Sequence, residues 1–472
     1  MIRFGTGGWR AVIGDGFTKE NVQILASAMA AKMKAENVAD QGIVIGYDRR
    51  FLSKEAMQWA GVVFATAGIK ARLINKSGPT PLVMYYVMKH ELPYGMMITA
   101  SHNPAVYNGI KLFTAGGRDA NEEQTADVES YISRVTLPVE AMEYEDAKAA
   151  GLIEEFYPIN EYIDNILDRI NVDAIRKASL RVALDPMYGV SETAIKTILL
   201  TARCEMETIH SRHDTLFGGK LPAPNEAAMS PLKTCVTDYR CDIGIATDGD
   251  ADRIGVVDDR GRYLSPNDIL VLLYYYLVKY RHEKGPAVRN ICTTHMLDRI
   301  AEKFGETCYE VPVGFKHISA KITETDALIG GESSGGLTVR GHINGKDGVY
   351  AAALLVEMLA VTGKKISEMY DDIQEEFGHY FMLEQNFSFR AEKKPAYRKL
   401  LMEDRVIPDF ETEIERTSYL DGCKVYFKNG GWISVRFSGT EPLLRIFCEM
   451  PDRALAEKTC NAYKNLLGLS DQ

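Results

Sequence analysis

Ser101 is the residue of this sequence best placed to carry a chemical group. It stands in the motif Thr-Ala-Ser-His-Asn-Pro, which begins at Thr99 and follows the apolar run Tyr94–Ile98. Such a run predicts a buried strand, and α/β proteins place reacting groups in the loop where a strand ends. We therefore expect a hydroxyl at a strand end, beside the imidazole of His102 and able to accept or donate a group.

Three carboxylates at alternate positions form the second candidate site. Asp248, Asp250 and Asp252 lie in Asp-Gly-Asp-Ala-Asp-Arg, directly after another apolar run. If the loop curls they converge on one cation, and hard oxygen ligands suit Mg²⁺ or Ca²⁺. An EF-hand does not fit, because Arg253 and Asp259 occupy the positions that require glycine and glutamate. A solvated acidic turn is the weaker alternative, since clustered like charges repel. Arg253 either faces an anionic substrate or pairs with a neighbouring aspartate.

Two turns could bind a phosphate group. Residues 436–442 read Arg-Phe-Ser-Gly-Thr-Glu-Pro, in which a guanidinium, two hydroxyls and a glycine backbone form a phosphate cradle. The cradle residues are Arg436, Ser438, Gly439 and Thr440. Residues 5–10 lack the third glycine of a dinucleotide fingerprint, since Arg10 replaces it. Arg10 on this glycine-rich loop fits phosphate binding, with a flexible N-terminal turn as the alternative.

A glycine-rich stretch could bind a sugar. Residues 330–336 read Gly-Gly-Glu-Ser-Ser-Gly-Gly. The carboxylate of Glu332 and the hydroxyl of Ser334 suit hydrogen bonds to sugar hydroxyls. Taken alone, however, this stretch favours an ordinary glycine-rich hairpin.

Alternating strand and helix signals position these residues. Helical spacing at 21–36 and 55–69 alternates with apolar strands at 42–46 and 71–75, and the alternation restarts at Leu180 and again at Asp268. This pattern predicts three α/β units of similar size with largely parallel sheets and helices on both faces.

The C-terminal part has a different pattern. Residues 424–436 predict a hairpin that turns at Asn429-Gly430, and residues 453–467 predict a final helix, which together indicate an α+β domain. The charged stretch 140–155 is typical of a first interdomain helix or linker. The predicted domains are 1–150, 151–257, 258–372 and 373–472.

Size, charge and composition restrict the class of protein. With 472 residues and a net charge of −10, the chain is expected to have several domains and not to bind nucleic acid or anionic membranes. The longest apolar run, 269–278, is about half the length of a membrane span and predicts a buried helix. The sequence shows no signal-peptide pattern and no C-x-x-C pair, so the cytoplasm is the expected compartment.

Four motifs, in this order, resemble those of the α-D-phosphohexomutase superfamily. They are Thr-Ala-Ser-His-Asn-Pro, Asp-Gly-Asp-Ala-Asp-Arg, the Gly-Glu-x-Ser-Gly sugar loop and the Arg-x-Ser-Gly-Thr-Glu-Pro phosphate loop. The resemblance covers essentially the whole chain. It implies three related α/β domains with mixed, mostly parallel sheets and a C-terminal α+β domain, arranged around a central cleft.

The resemblance also implies roles for the candidate residues. Ser101 would carry a phosphoryl group, and Asp248, Asp250 and Asp252 would hold Mg²⁺, with a phosphoserine oxygen of Ser101 completing the metal site. Developing charge would be neutralised by Arg10, Lys111 and Arg253. His102 is either a general acid or base, or only shapes the loop. Substrate would contact Lys316, Glu332, Ser334, Arg436, Ser438, Gly439 and Thr440.

The implied reaction interconverts hexose 1-phosphate and hexose 6-phosphate through a hexose 1,6-bisphosphate. The sequence 311–316, Val-Pro-Val-Gly-Phe-Lys, resembles the phosphoglucomutase version, and Gly336 stands where other members have histidine. We therefore favour glucose, with mannose second and phosphoglucosamine or phosphopentose mutases as alternatives. From other classes, the alternatives are a metal-dependent phosphatase, a serine hydrolase and a Ca²⁺- or sugar-binding protein. The expected partner is a small phosphosugar, and the expected state a monomer or homodimer.

Overall fold

The computed structural model describes residues 2–5, 7–438 and 443–469. The chain packs as two units. The first unit comprises the residues up to His282 together with Ser334–Glu368, and the second comprises Glu283–Ser333 together with the residues from Met369 onward. Within the described ranges, no helix is long and apolar enough to cross a membrane.

The first sheet carries the Ser101 loop and lies in the first unit. Its strands are β1 (Trp9–Val12), β2 (Ile43–Tyr47), β3 (Ala71–Ile74), β4 (Tyr94–Ile98), β5 (Tyr107–Thr114), β6 (Arg118–Asp119) and β7 (Ile153–Phe156). Its helices are α1 (Lys19–Ala35), α2 (Ser53–Thr66), α3 (Thr80–Lys89), α4 (Glu122–Ile132) and α5 (Tyr144–Ala149). The strand order is β1-β5-β4-β2-β3-β7, with β6 beside β5. Strands β4, β2, β3 and β7 are parallel, whereas β5 is antiparallel to both β4 and β1.

Strands β2 and β4 lie in the middle of this sheet, and every residue in them is buried. Such continuous burial is typical of strands that are covered on both faces of the sheet. Helices α1 and α2 pack together and contribute to the same core. The prediction for 140–155 was incomplete, because β7 pairs in parallel with β3 and extends the sheet beyond the charged helix α5.

The second sheet, also in the first unit, carries the acidic loop. Its strands are β8 (Arg181–Asp185), β9 (Glu205–Thr208), β10 (Ile243–Thr247), β11 (Ile254–Val257) and β12 (Tyr263–Leu264). Its helices are α6 (Ile159–Leu167), α7 (Val172–Ala178), α8 (Glu192–Thr201), α9 (Ser230–Tyr239) and α10 (Pro266–Lys279). The strand order is β12-β11-β10-β8-β9. Strands β10 and β11 are antiparallel, so the acidic loop is the short connection between them. The buried helix predicted at 269–278 is confirmed, since all these residues of α10 are buried.

The third α/β part contributes elements to both units. In the second unit β13 (Ala287–Asn290) lies in parallel between β14 (Cys308–Val311) and β15 (Ile329–Gly331). The helices of this part of the second unit are α11 (Met296–Lys303) and α12 (Phe315–Thr325). The first unit contains β16 (Leu337–Val339) and α13 (Gly348–Thr362). Helix α13 is buried along nearly its whole length, as its apolar sequence requires.

The C-terminal part of the second unit is an antiparallel sheet with its own core. Helix α14 (Ile366–Phe377) begins in the first unit and leads into this part. The elements that follow it are β17 (Phe381–Ser388), α15 (Lys394–Arg398), β18 (Ile414–Ser418), β19 (Cys423–Phe427), β20 (Trp432–Phe437), β21 (Leu443–Met450) and α16 (Arg453–Leu467). The strand order is β17-β21-β20-β19-β18. The predicted hairpin is confirmed, because β19 and β20 turn through Asn429 and Gly430, where glycine has a φ of 82°.

The predicted fold class is therefore confirmed. Three α/β parts with mixed sheets precede a C-terminal domain in which the sheet is wholly antiparallel. The domain boundaries at 150, 257 and 372 and the central cleft stay predictions.

Candidate active site

Ser101 lies in the loop that follows β4, where the sequence predicts it. The residue is 1% exposed, and its backbone has a φ of 51°, in the left-handed region that non-glycine residues seldom adopt. Its Oγ donates a hydrogen bond to Asp248 Oδ2 at 2.7 Å and lies 3.4 Å from His102 Nδ1. The loop thus directs the hydroxyl toward a carboxylate of the acidic loop.

The acidic loop brings three buried carboxylates together. One ligand atom from each of Asp248, Asp250 and Asp252 lies within 4.8 Å of the others. The loop curls so that the backbone N–H groups of Asp252 and Arg253 donate to Asp248 Oδ1 at 3.1 and 3.2 Å. Gly249 permits the close approach to the serine loop, because a Cβ there would lie 2.7 Å from the carbonyl oxygen of Ser101.

Lysines compensate part of the negative charge of these aspartates. Lys111 Nζ, on β5, donates to Asp250 Oδ2 and Asp252 Oδ2, both at 2.6 Å. Lys346 Nζ lies 2.9 Å from the same Asp252 oxygen. Burial alone would lower the pKa of Lys111, but the charges of Asp250 and Asp252 outweigh it and hold the pKa above its ordinary value. For Asp248, burial and then the charges of the other two aspartates raise the pKa to about 8.

The remaining oxygens fit a divalent cation. Asp250 Oδ1 and Asp252 Oδ1 are buried and make no hydrogen bond. Buried carboxylate oxygens are costly to leave unpartnered, and hard oxygen donors in this number suit Mg²⁺. The donor set therefore fits the metal that the sequence predicts.

The two arginines predicted for the site also reach it. Arg10, on β1, donates from Nη1 to Asn103 Oδ1 at 2.6 Å, and Arg253 Nε lies 3.9 Å from Asp252 Oδ1. Burial, followed by the positive charges of Arg253 and Arg10, lowers the pKa of His102 to about 2. His102 is therefore neutral at ordinary pH, and its ring nitrogen can act as a hydrogen-bond acceptor.

The end of the glycine-rich stretch, residues 334–336, belongs to the same unit as the acidic loop. Arg253 forms an antiparallel bridge with Gly336, and the N–H of Ile254 donates to the carbonyl oxygen of Gly335 at 3.2 Å. Ser334, the first residue of this segment, is therefore held near the end of the acidic loop.

The other predicted substrate residues lie in the second unit. Lys316 is at the beginning of α12, Glu332 directly follows β15, and Arg436 is on β20. Asp421 connects the residues before α12 to β20. Its carboxylate accepts from the N–H of Val313 at 2.9 Å and lies 3.2 Å from the guanidinium of Arg436. The backbone N–H of Ser438 donates to the carbonyl oxygen of Leu443 at 2.8 Å. Gly439 and Thr440 lie outside the described residues.

Sequence reasoning missed three residues that support the site. Lys346 follows a glycine in the loop before α13, and nothing in its local pattern distinguishes it from a surface lysine. Asp48 and Arg50 follow the buried strand β2, so the rule that identified Ser101 could also have found them.

Comparisons with known proteins agree with this architecture. Models of the phosphoglucomutase/phosphomannomutase family match in four parts: alpha/beta/alpha domain I at residues 1–138, domain II at 160–261, domain III at 265–377 and the C-terminal domain at 390–465.

Similar proteins match along nearly their entire length. A "Phosphoglucomutase/phosphomannomutase" of Thermococcus kodakarensis is 29% identical, with 98% of this chain and 97% of that protein covered. A "Probable phosphoglucosamine mutase" of Methanothermobacter thermautotrophicus is 30% identical, with 98% of both chains covered. The crystal structure of a phosphoglucomutase/phosphomannomutase family protein from Burkholderia thailandensis shares the fold, with a TM-score of 0.82, 20% identity and 98% of both chains covered.

Four matched domains and relatives of this identity over full length establish the family. The chain therefore belongs to the phosphoglucomutase/phosphomannomutase family of the α-D-phosphohexomutase superfamily, and is a mutase that acts as an intramolecular phosphotransferase.

Proposed function

We propose that this mutase interconverts hexose 1-phosphate and hexose 6-phosphate through a phosphoserine at Ser101 and a hexose 1,6-bisphosphate, with glucose as the preferred sugar. The observation that carries the proposal is the 2.7 Å contact between Ser101 Oγ and Asp248 within the buried acidic cluster. A serine in that position exchanges a phosphoryl group beside a cation site instead of attacking an acyl carbon.

The chain's own residues supply positioning and charge. In the first transfer the bond between phosphorus and Ser101 Oγ breaks while phosphorus bonds to a sugar hydroxyl, whose proton passes to a base. We assign that proton to the ring of His102, which lies 3.4 Å from Ser101 Oγ. Burial and the charges of Arg253 and Arg10 lower the pKa of this ring, and the negative charge of a bound phosphoryl group would offset those two charges. The proton then passes to the leaving Ser101 Oγ. In the second transfer the bond between phosphorus and the other sugar oxygen breaks while phosphorus bonds to Ser101 Oγ, and the serine proton passes to that sugar oxygen. Arg10, Lys111 and Arg253 would stabilise the negative charge of the phosphoryl oxygens.

Asp248, Asp250 and Asp252 would hold Mg²⁺, with an oxygen of the phosphorylated serine as a further ligand. When bound, the ion would neutralise charge on the group that is transferred. Asp250 Oδ1 and Asp252 Oδ1 make no hydrogen bond, which supports this assignment. Lys111 and Lys346 pair with the Oδ2 atoms, while Arg253 Nε lies 3.9 Å from Asp252 Oδ1.

The remaining predicted residues would recognise the sugar phosphate. We assign the sugar hydroxyls to Glu332 and Ser334, further substrate contact to Lys316, and the phosphate that is not transferred to the cradle at Arg436 and Ser438. Glucose is favoured because Val311–Lys316 resembles the phosphoglucomutase sequence, while Gly336 replaces the histidine of other members.

Mannose phosphate is the second candidate substrate, since the Thermococcus relative is named for both glucose and mannose activities. Phosphoglucosamine is the third, because the relative from Methanothermobacter is named for it.

Intact-mass measurement tests the phosphoserine. Purified protein is incubated with glucose 1,6-bisphosphate and Mg²⁺, and the mass increase of one phosphoryl group is followed in the wild type and in Ser101→Ala. Ser133→Ala, which removes a hydroxyl on α4's C-terminal side, is the matched control. We expect the adduct in the wild type and control but not in Ser101→Ala. Its persistence in Ser101→Ala, or its absence from the wild type, would overturn the proposal.

A coupled assay then compares the 1-phosphates of glucose, mannose, glucosamine and a pentose. We expect the highest kcat/KM for glucose 1-phosphate. A higher value for glucosamine 1-phosphate would contradict the choice of sugar and leave the phosphoserine chemistry intact.

A further inference from the structure

Asp48 and Arg50 take no part in the chemistry proposed above, yet both side chains are completely buried. They follow β2, the strand beside β4, and Arg50 Nε lies 3.3 Å from Asp48 Oδ2. Burying two charges is unfavourable unless their remaining polar atoms find partners. The partners of Asp48 and Arg50 lie largely in the loop that carries Ser101.

Arg50 binds four carbonyl oxygens of the serine loop. Its Nη2 donates to Ser101 at 2.6 Å and to Asn103 at 2.7 Å, and its Nη1 donates to Pro104 at 2.9 Å and to Tyr107 at 3.0 Å. A planar guanidinium offers these donors in a fixed fork, which a lysine cannot reproduce. One side chain therefore determines the path of the loop from its serine to the beginning of β5.

Asp48 holds the other side of Ser101 through Thr99. The Thr99 hydroxyl donates to Asp48 Oδ2 at 2.6 Å, and the backbone N–H of Ser101 donates to the Thr99 hydroxyl oxygen at 2.8 Å. The second oxygen of Asp48 accepts from the Ser53 hydroxyl and from the N–H of Arg50 at 2.8 and 2.9 Å. Both backbone polar groups of Ser101 are thus fixed by this pair, one directly and one through Thr99.

We propose that Arg50 and Asp48 are positioning residues for phosphoryl transfer. They hold Ser101 in the left-handed backbone conformation that directs its Oγ to Asp248. This inference rests on the proposed function of Ser101. A left-handed conformation is unfavourable for serine, so the surroundings must maintain it. In-line transfer tolerates little error, since a displacement of about 1 Å can lower a rate about 100-fold.

A purely structural role predicts a different result. It would lower the unfolding temperature and leave the turnover of the folded protein unchanged. A positioning role lowers kcat and the rate of phosphoryl uptake in protein that is fully folded, with little change in KM.

Substitutions at Thr99 give the sharper test. Thr99→Val keeps the shape but removes the hydroxyl that links Asp48 to Ser101, whereas Thr99→Ser keeps that hydroxyl. We expect kcat to fall at least about 10-fold in Thr99→Val and to recover in Thr99→Ser, with KM within about twofold in both. Equal kcat in the two variants would overturn the role of Asp48.

Arg50→Lys tests the guanidinium, with Arg49→Lys as the matched neighbour. Arg49 donates to the backbone carbonyl oxygens of Ser211 and Tyr188, and not to the four carbonyl oxygens that Arg50 binds. We expect Arg50→Lys to lose about 100-fold in kcat and in phosphoryl uptake, and Arg49→Lys to retain both. Wild-type kinetics in Arg50→Lys would overturn the inference.

Folding is checked by circular dichroism, and if Arg50→Lys does not fold, the two Thr99 variants decide the question. Failure of the wild type to take up a phosphoryl group would instead refute the proposed function, so the two failures are distinguishable.

Discussion

Lys111 determines how three buried carboxylates coexist in one loop. Its ammonium group bonds to two of them, while Asp248 has hydroxyl and backbone partners and a raised pKa. The lysine therefore reduces the repulsion within the acidic loop, yet one oxygen of Asp250 and one of Asp252 make no hydrogen bond. A divalent cation would complete this balance of charge.

Replacing this lysine should make stability depend on the metal. In Lys111→Met the lost pairs leave carboxylates uncompensated, a change that costs about 3–5 kcal/mol for buried pairs. Mg²⁺ should recover much of that loss by binding the folded state. Thermal unfolding in EDTA and in Mg²⁺ measures the shift, which we expect to be larger than in the wild type.

The matched control is Lys32→Met, which removes another buried lysine that pairs with Glu36 and Asp127. Its loss of stability should not depend on Mg²⁺. An equal Mg²⁺ effect on the two variants would contradict the role assigned to Lys111.

At the scale of elements, the sequence predicted those parts of the site that depend on local pattern. Ser101 and the acidic loop follow buried strands, and an apolar run that ends in polar residues is visible without a structure. Lys346 was not predictable in this way, because its role comes from Asp252, a residue distant in the chain. The bridge of Asp421 to Val313 and Arg436 is likewise a tertiary contact with no local signal.

The loop before α13 shows how an element positions a residue that acts at the site. Asp347, next to Lys346, caps α13 by accepting from the N–H groups of Val349 and Tyr350 at 2.8 and 2.9 Å. Its carboxylate also accepts from the Tyr162 hydroxyl and contacts His342. The helix end therefore holds the backbone that carries Lys346.

Asp347→Ala should reduce both stability and activity. Loss of the cap costs about 1 kcal/mol, and leaving the buried Tyr162 hydroxyl unpartnered costs about 1–3 kcal/mol more. Asp452, the exposed cap of α16, accepts from the N–H of Leu455 and is the matched control. Urea unfolding and kcat of both variants are compared. We expect Asp452→Ala to lose only the cap energy, and equal losses in the two variants would refute the argument.

At the scale of the whole molecule, buried charges join separate sheets as well as building the active site. In the second unit Lys424, on β19, donates to Glu310 on β14 at 2.6 Å and to the carbonyl oxygen of Ile291 at 2.6 Å. Glu310 also pairs with Arg289 on β13 at 2.5 Å. The parallel and antiparallel sheets of this unit are thus connected by a network of ions, which composition and periodicity do not reveal.

This network should give stability an unusual dependence on pH. Burial, followed by the charge of Arg289, lowers the pKa of Lys424 to about 8 in the folded protein, from 10.5 in the unfolded chain. Between these values the unfolded chain binds more protons than the folded protein, so this residue makes stability rise as the pH increases. Each pKa unit is worth about 1.4 kcal/mol. From about pH 7 to about pH 9.5 the contribution is on the order of 2 kcal/mol.

Lys424→Met removes this contribution, while other lysines and tyrosines titrate equally in both proteins and cancel in the comparison. The free energy of unfolding, measured in urea at each pH, should therefore fall for the variant relative to the wild type as the pH rises. A difference that stays constant with pH would show that Lys424 keeps an ordinary pKa. It would also show that the connection between the sheets carries no penalty from a buried ammonium group.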